Sequence, residues 1–274
     1  MICNCEKIKG TKINLDFPSV GATENAILAS TLGEGTTIIT NAAREPEIID
    51  LQEFLNKMGG KIQGAGTDTI VIEGVKRLKE ISYNIMPDRI ETGTFLCMAA
   101  NTGGEIELIN TNPAHITPII AKLQEAECII EAEKSSIKIK APKRIKAIDI
   151  KTLPYPGFPT DLQSVFGALL VTAKGTSIIV ENIFESRYKY MQELNKMGAK
   201  TTIEGKSSII RGVRRLYGTT VKATDLRGGA ALVVAGLGAK GITIVENIEH
   251  ILRGYEELDK KLQKINANIE VWKE

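Results

Sequence analysis

The chain has 274 residues, 43% of them hydrophobic and 25% charged, with 35 Lys and Arg against 33 Asp and Glu. These are ordinary globular values that exclude disorder and low complexity, and the length suits one large core or two modest ones. A formal net charge of +2 provides no drive towards nucleic acid or membrane, although local basic clusters can still surround an anionic ligand.

The N-terminal MICNCEKIKGTK has no apolar h-region, so a secretory signal is not expected. Ala230–Gly238, the longest apolar stretch, is too short to span a bilayer, and a cytoplasmic location is the expectation. Cys3 and Cys5 form a Cys-x-Cys without the second pair that a metal site needs, so no metal is expected. Cys97 and Cys128 lie in apolar runs and read as small core residues.

A recurring phrase organises the rest of the chain. LNKMGGKI begins at Leu55, LQEAECII at Leu123, LNKMGAKT at Leu194 and LQKINANI at Leu262. Upstream of each copy a Gly precedes a β-rich run: Gly35 before TTIIT, Gly104 before EIELI, Gly175 before TSIIV and Gly241 before ITIVE. Repetition of two features in fixed order marks four copies of a unit of about seventy residues. In the first copy Ile48, Leu51, Phe54, Leu55 and Met58 share one helical face, with Pro46 in the first turn and Gly59 past the end. Alternation in TDTIVIEG (67–74) and SSIKIKA (135–141) predicts strands. Helices rich in small apolar residues, such as AILASTL and AALVVAGL, precede each Gly-strand. The unit therefore reads helix, strand, helix, strand pair, and its copies must pack together to cover their apolar faces.

Thr160-Asp161-Leu162-Gln163 and Thr224-Asp225-Leu226-Arg227 open equivalent helices. One reading is capping, with Thr as N-cap, Asp in the first turn and Gln163 closing a capping box. The other is functional, because a helix start can present a carboxylate to substrate as a general base. LPYPGFP before Asp161 is a stiff, extended approach. Arg44, Arg187 and Arg253 recur in the loops before the second helices, and Arg89 adds a fourth. An arginine there opposes the helix dipole, and its fork matches carboxylates and phosphates. The recurrence points to a shared anion site. His115 and His250 lie in dissimilar contexts and read as structural; GAGTD (64–68) lacks the rest of a dinucleotide motif, GK[ST] is absent, and no cofactor is expected.

FPSVGATEN (17–25), NAAREPEI (41–48), GAGTDTIVIEGV (64–75), PDRIETGT (87–94), LPYPGFPTD (153–161), KATDLR (222–227) and RGYE (253–256) resemble the motifs of the UDP-N-acetylglucosamine 1-carboxyvinyltransferases, from about residue 7 to the end. The enzyme acting on shikimate 3-phosphate shares the fold but not these strings. The resemblance implies an α/β (α+β) fold, the inverse α/β barrel of the enolpyruvyl transferases, with four βαβαββ-like units of the usual six. It implies a partial substrate-side domain at 1–86 and a second domain at 87–274. It also implies transfer of the enolpyruvyl group of phosphoenolpyruvate to the 3-hydroxyl of UDP-N-acetylglucosamine, towards peptidoglycan.

By that resemblance Asp161 is a base at the sugar hydroxyl, and Arg187 and Arg253 hold phosphoenolpyruvate. Asp225 is an acid near its reacting carbon, with Arg227 close by and Thr160 at the substrate. Ser19, Val20 and Gly21 hold the diphosphate, Ile183 is a uridine-side contact, and Glu45, Glu47 and Arg89 are polar residues around the cleft. The two further N-terminal units, with a Lys-Asn pair and a mobile loop bearing Cys or Asp, are not matched here, and Cys3 and Cys5 are in the wrong context to replace that loop. The family usually has Asn where Ser186 stands and Asp where Leu252 stands. The expectation is a truncated transferase needing an N-terminal part, with its two substrates as ligands. An N-terminal fragment or a second copy would cover the open face of the first unit. The alternatives are a non-catalytic UDP-N-acetylglucosamine-binding or regulatory relative, and an RNA 3′-phosphate cyclase-like protein, which would require a nucleotide-reactive His and a basic surface.

Overall fold

The computed structural model describes residues 5–272; Cys3 lies outside them. The chain divides into two compact units, Met1–Met86 with Pro154–Pro156, and Pro87–Leu153 with Gly157–Glu274.

The first unit holds one repeat: β1 (Lys12–Asn14), α1 (Val20–Thr31), β2 (Thr36–Thr40), α2 (Pro46–Lys57), β3 (Lys61–Gln63) and β4 (Thr69–Glu73). Its sheet runs β1-β2-β4-β3, with β1 parallel to β2 and the other pairs antiparallel. The predicted helix over Pro46–Lys57 forms, with Pro in its first turn and Gly59 at φ 101° just beyond its end, where a Cβ would be strained. Ile48 and Leu55 from its apolar face join Ile27, Ile39, Ile62, Ile70 and Ile72 in a core belonging to this unit.

The second unit holds three repeats. The first comprises α3 (Arg89–Thr102), β5 (Glu105–Ile109), a 3-10 turn (Pro113–Ile116), α4 (Thr117–Glu125), β6 (Ile129–Ala132) and β7 (Ser136–Lys140). The next runs β8 (Ile150–Lys151), a 3-10 turn (Thr160–Leu162), α5 (Gln163–Leu170), β9 (Thr176–Val180), α6 (Lys189–Lys196), β10 (Lys200–Glu204) and β11 (Ser207–Arg211). The last has β12 (Thr220–Lys222), α7 (Leu226–Gly238), β13 (Ile244–Glu246), α8 (Glu249–Leu252) and α9 (Leu258–Lys264).

The helices α3, α5 and α7 pack on one another and form the centre of this unit. Every residue of α5 is buried, the behaviour of a helix that is apolar all round. Small residues permit the approach: a Cβ on Gly93 would sit 2.4 Å from Leu162 Cδ1, and one on Gly167 would sit 2.1 Å from Tyr190 Oη. The outer helices α4 and α6 lay single faces on the core through Ile119 and Leu123, and through Tyr190, Met191 and Leu194. Cys97 and Cys128 are buried in this core, and burial pushes the Cys128 thiol up to about 11.

In three repeats the strand entering the inner helix pairs in parallel with the strand leaving it: β1 with β2, β8 with β9, and β12 with β13. The sheet of the α3 repeat has only the order β5-β7-β6. Among the described residues the outer edge of β5 has no strand partner, and no strand forms between Glu73 and Arg89. Within the first unit, the Tyr83 hydroxyl in that stretch donates to Asp50 Oδ1 at 2.9 Å, and its ring packs edge-on against Phe54. Ile109 at the end of β5 is 77% exposed, on the same sheet face as exposed Glu105 and Glu107.

Candidate functional site

The inner helices begin with related sequences whose side chains are used differently. Asp88 caps α3 by accepting from Ile90 N and Glu91 N at 2.7 and 3.0 Å. Asp225 caps α7 in the same way, accepting from Arg227 N and Gly228 N at 3.0 and 2.8 Å. These bonds satisfy N–H groups that a helix start otherwise leaves unpaired. The cap of α7 is therefore Asp225, not Thr224 as the capping pattern predicts; the Thr224 hydroxyl instead donates to Asp225 Oδ2 at 3.1 Å.

Asp161 does not cap its helix. Pro159 occupies the N-cap position of its 3-10 turn, and the carboxylate accepts from Arg187 Nη2 at 2.6 Å and from Arg227 Nη2 at 3.0 Å, one oxygen each. The capping-box expectation fails at both ends. Thr160 Oγ1 donates to Glu181 Oε2 at 2.9 Å, and Gln163 is wholly buried with its amide directed into the core. A proline before Thr160 cannot cap with its side chain, so the first turn tightens to 3-10 geometry and leaves the aspartate free to face outwards.

Burial raises the proton affinity of Asp161, but the charges and hydrogen bonds of Arg227 and Arg187 outweigh it and hold the carboxyl below the usual aspartate range. Arg227 shows the reciprocal effect: burial opposes its charge, and Asp161 more than compensates, so its pKa is raised. Both arginine side chains are 16% exposed and Asp161 is 38% exposed. The Phe184 ring lies under the Arg187 guanidinium at 4.8 Å, a cation–π contact that limits its rotation. Behind Arg227, buried Tyr255 joins its hydroxyl to Thr94 Oγ1 of α3 at 2.9 Å. A pair of arginines is thus held around one ionised carboxylate.

The sequence-predicted residues separate into those gathered here and those elsewhere. Asp161, Arg187 and Arg227 meet directly, and Thr160 and Asp225 adjoin them in the chain. Arg253 follows α8, is exposed and makes no salt bridge among the described residues; Ile183 is half-buried in the loop leading to Arg187. Arg89 is the first residue of α3 and half-buried.

The first unit has its own cluster. Ser19 caps α1 by accepting from Ala22 N at 3.3 Å, and Val20 and Gly21 open that helix. Glu45 and Glu47 flank the first turn of α2. Burial, followed by the charges of Glu47 and Glu45, raises the Glu24 carboxyl above its usual range. Arg44 lies 3.5 Å from Asp68. Of the recurring arginines, Arg187 is joined to Asp161 in the second unit, whereas Arg44 has its acidic neighbour within the first. His115 pairs with Asn112 at 2.9 Å as a structural residue would. A concavity of about 490 Å³ on the second unit, lined by residues including Pro118, Ala121, Phe158 and Ile178, contains none of the candidates. Among the described residues no group of three or more His, Cys, Asp or Glu is placed to hold a metal, and no helix is long and apolar enough to cross a membrane.

Sequence reasoning missed Glu181, Phe184 and Tyr255. The Val-Glu-Asn that ends two Gly-strands, at 180–182 and 245–247, does not single out Glu181, because Glu246 shares it.

Comparison with known proteins gives a consistent result. The family model described as EPSP synthase (3-phosphoshikimate 1-carboxyvinyltransferase) matches residues 1–262. The protein named UDP-N-acetylglucosamine 1-carboxyvinyltransferase 2 of Caldanaerobacter subterraneus subsp. tengcongensis is 55% identical over 268 residues, covering 97% of this chain and 64% of that protein. Its namesake in Carboxydothermus hydrogenoformans is 54% identical, covering 96% and 64%. The chain thus spans a little under two thirds of the length of these relatives. Among solved structures, the enolpyruvyl transferase NikO of Streptomyces tendae superposes with a TM-score of 0.87 at 24% identity, over 97% of this chain and 66% of that one. EPSP synthase of Acinetobacter baumannii gives 0.74 at 20% identity, over 97% and 65%. At such identities these two matches establish the fold.

Proposed function

Because the chain belongs to the EPSP synthase (3-phosphoshikimate 1-carboxyvinyltransferase) family, we propose that it is the part of an enolpyruvyl transferase that binds phosphoenolpyruvate and carries the base for UDP-N-acetylglucosamine. The observation that carries this reading is the Asp161 carboxylate held between Arg187 and Arg227. The choice of UDP-N-acetylglucosamine over shikimate 3-phosphate rests on the names of the relatives that are more than half identical.

In the transfer, the sugar oxygen adds to C2 of phosphoenolpyruvate while C3 gains a proton. Phosphate then leaves C2, and C3 loses a proton to restore the double bond. Asp161 takes the proton of the attacking hydroxyl. Alone between two guanidinium groups it is a weak base, because both stabilise its ionised form. The anionic groups of phosphoenolpyruvate compete for Arg187 and Arg227, so substrate binding raises the basicity of Asp161 when a proton must be accepted. The same arginines neutralise charge accumulating in the tetrahedral adduct. By the family resemblance, Arg253 adds to the anion site and Asp225 lies near the reacting carbon. Ser19, Val20 and Gly21 face the diphosphate.

Turnover in this reading requires the remaining third of the relatives' length. The unpaired edge of β5 supports it, since every other repeat fills that edge with a parallel strand. The deciding assay is phosphate release from phosphoenolpyruvate with UDP-N-acetylglucosamine. The chain alone is expected to be silent, and turnover to appear when the portion of the Caldanaerobacter relative that it does not span is added. A mixture of folded components that stays silent overturns the proposal. Turnover by the chain alone, abolished in Asp161→Asn, removes only the need for completion. Leu252, without the carboxylate usual beside Arg253, favours a second reading as a binding relative; that reading expects nucleotide-sugar binding unaffected by Asp161→Asn and no turnover in the mixture.

A further inference from the structure

Glu181 follows the last residue of β9 and is 1% exposed. Strand alternation places it inside: Ser177 and Ile179 are wholly buried on the same face. Burial of a carboxylate is costly unless its oxygens are fully hydrogen-bonded, and among the described residues no Lys or Arg pairs with it. Its partners are instead four neutral donors. Oε1 accepts from Thr152 Oγ1 at 2.8 Å, Ile183 N at 2.8 Å and Phe184 N at 3.2 Å; Oε2 accepts from Thr160 Oγ1 at 2.9 Å. Thr152 extends the arrangement by accepting from Asn182 N at 2.9 Å.

Three of these donors lie on the two segments that carry the candidate ion pair, and Thr152 follows β8. Thr160 immediately precedes Asp161. Ile183 and Phe184 begin the loop to Arg187, and the Phe184 ring supports its guanidinium. Glu246 ends the equivalent strand β13, but it is half-buried and pairs with Lys222 at 3.1 Å; no substrate-facing pair depends on it. We propose that Glu181 is a positioning residue for the active centre, fixing the Asp161–Arg187 separation by tying the turn that bears one to the loop that bears the other. It touches neither substrate in this account. The ligand in its test rests on the proposed function.

Two variants separate this role from simple stability. Glu181→Gln keeps the shape but replaces an acceptor oxygen with a donor. Thr160→Val removes only the link to the Asp161 turn, leaves the Ile183 and Phe184 bonds in place, and serves if the first variant fails to fold. Phosphoenolpyruvate affinity is measured by calorimetry, and the Asp161 carboxyl is titrated by carbon NMR in the folded chain. Losing one buried hydrogen bond to a charged group is expected to weaken affinity about tenfold and to move the Asp161 midpoint up towards the ordinary aspartate value. Affinity within twofold of wild type together with an unmoved midpoint in a folded variant overturns the proposal. If wild-type chain binds no phosphoenolpyruvate, the functional reading fails, and the Asp161 midpoint still decides the role of Glu181.

Discussion

The helix starts at Asp161 and Asp225 share the tripeptide Thr-Asp-Leu and put it to opposite use. At Asp225 the carboxylate turns back and accepts from two N–H groups of its own helix. At Asp161 the preceding proline tightens the first turn, the threonine hydroxyl is taken by Glu181, and the carboxylate faces Arg187 and Arg227. One motif thus yields a carboxylate that caps its own helix in one repeat and a carboxylate held by two arginines in another. The difference lies outside the motif, in which neighbours the fold brings to the carboxylate.

The sharpest way to break that comparison is to neutralise Asp161. In the completed enzyme Asp161→Asn is expected to lower turnover by roughly 10²–10⁴-fold, the usual range for a positioned base, while binding of phosphoenolpyruvate persists because both arginines remain. Loss of binding with unchanged turnover per bound substrate would assign Asp161 to the binding site alone. Next in size is Gly167→Ala beneath the Asp161 turn, where the new methyl would meet the buried Tyr190 hydroxyl. Overpacking of this kind costs about 1–3 kcal/mol, read from denaturant midpoints; a neutral result would mean that Tyr190 moves aside freely.

Asp225→Ala tests the other half of the comparison. Removal of an N-cap costs about 1 kcal/mol, and the Asp161 titration should be unmoved by it. The ion pair itself gives a pH signature. The folded-state pKa of Asp161 is lowered from 3.8, so its stabilising contribution is present above that value and is lost as pH falls through the folded one. The difference in melting temperature between wild type and Asp161→Asn should therefore shrink on acidification below pH 3.8; a difference that grows with acid would reverse the assigned shift. The smallest effect concerns Ser186, a non-glycine residue at φ 57°. Ser186→Asn is expected to add roughly 0.5 kcal/mol, since Asn tolerates left-handed backbone better.

Periodicity was sufficient for the repeats, the amphipathic outer helices and the apolar inner ones, because these features depend on residue spacing along one chain. Its helix-start position marked Asp161, recurrence in the loops marked Arg187, and the resemblance of short motifs gave both a role and added Arg227. Glu181 was not legible, because a lone Glu at the end of an apolar strand has the same local sequence whether it is buried, as here, or paired with lysine at the surface, as Glu246 is. The recurring arginines were legible as a set but not in their grouping: Arg44 lies beside Asp68 in the first unit, and Arg187 lies on Asp161.

The sequence by itself therefore determined the unit, its copy number and the kinds of side chain at each helix start. The tertiary structure alone decided which aspartate caps and which is held by arginines, which glutamate is buried, and which strand edge is left open. The physical reason is that helix and strand patterns arise from contacts a few residues apart, whereas the Asp161 centre is made across separations of 26 and 66 residues. Its charge state is then set by the guanidinium groups that packing delivers and the water that packing removes.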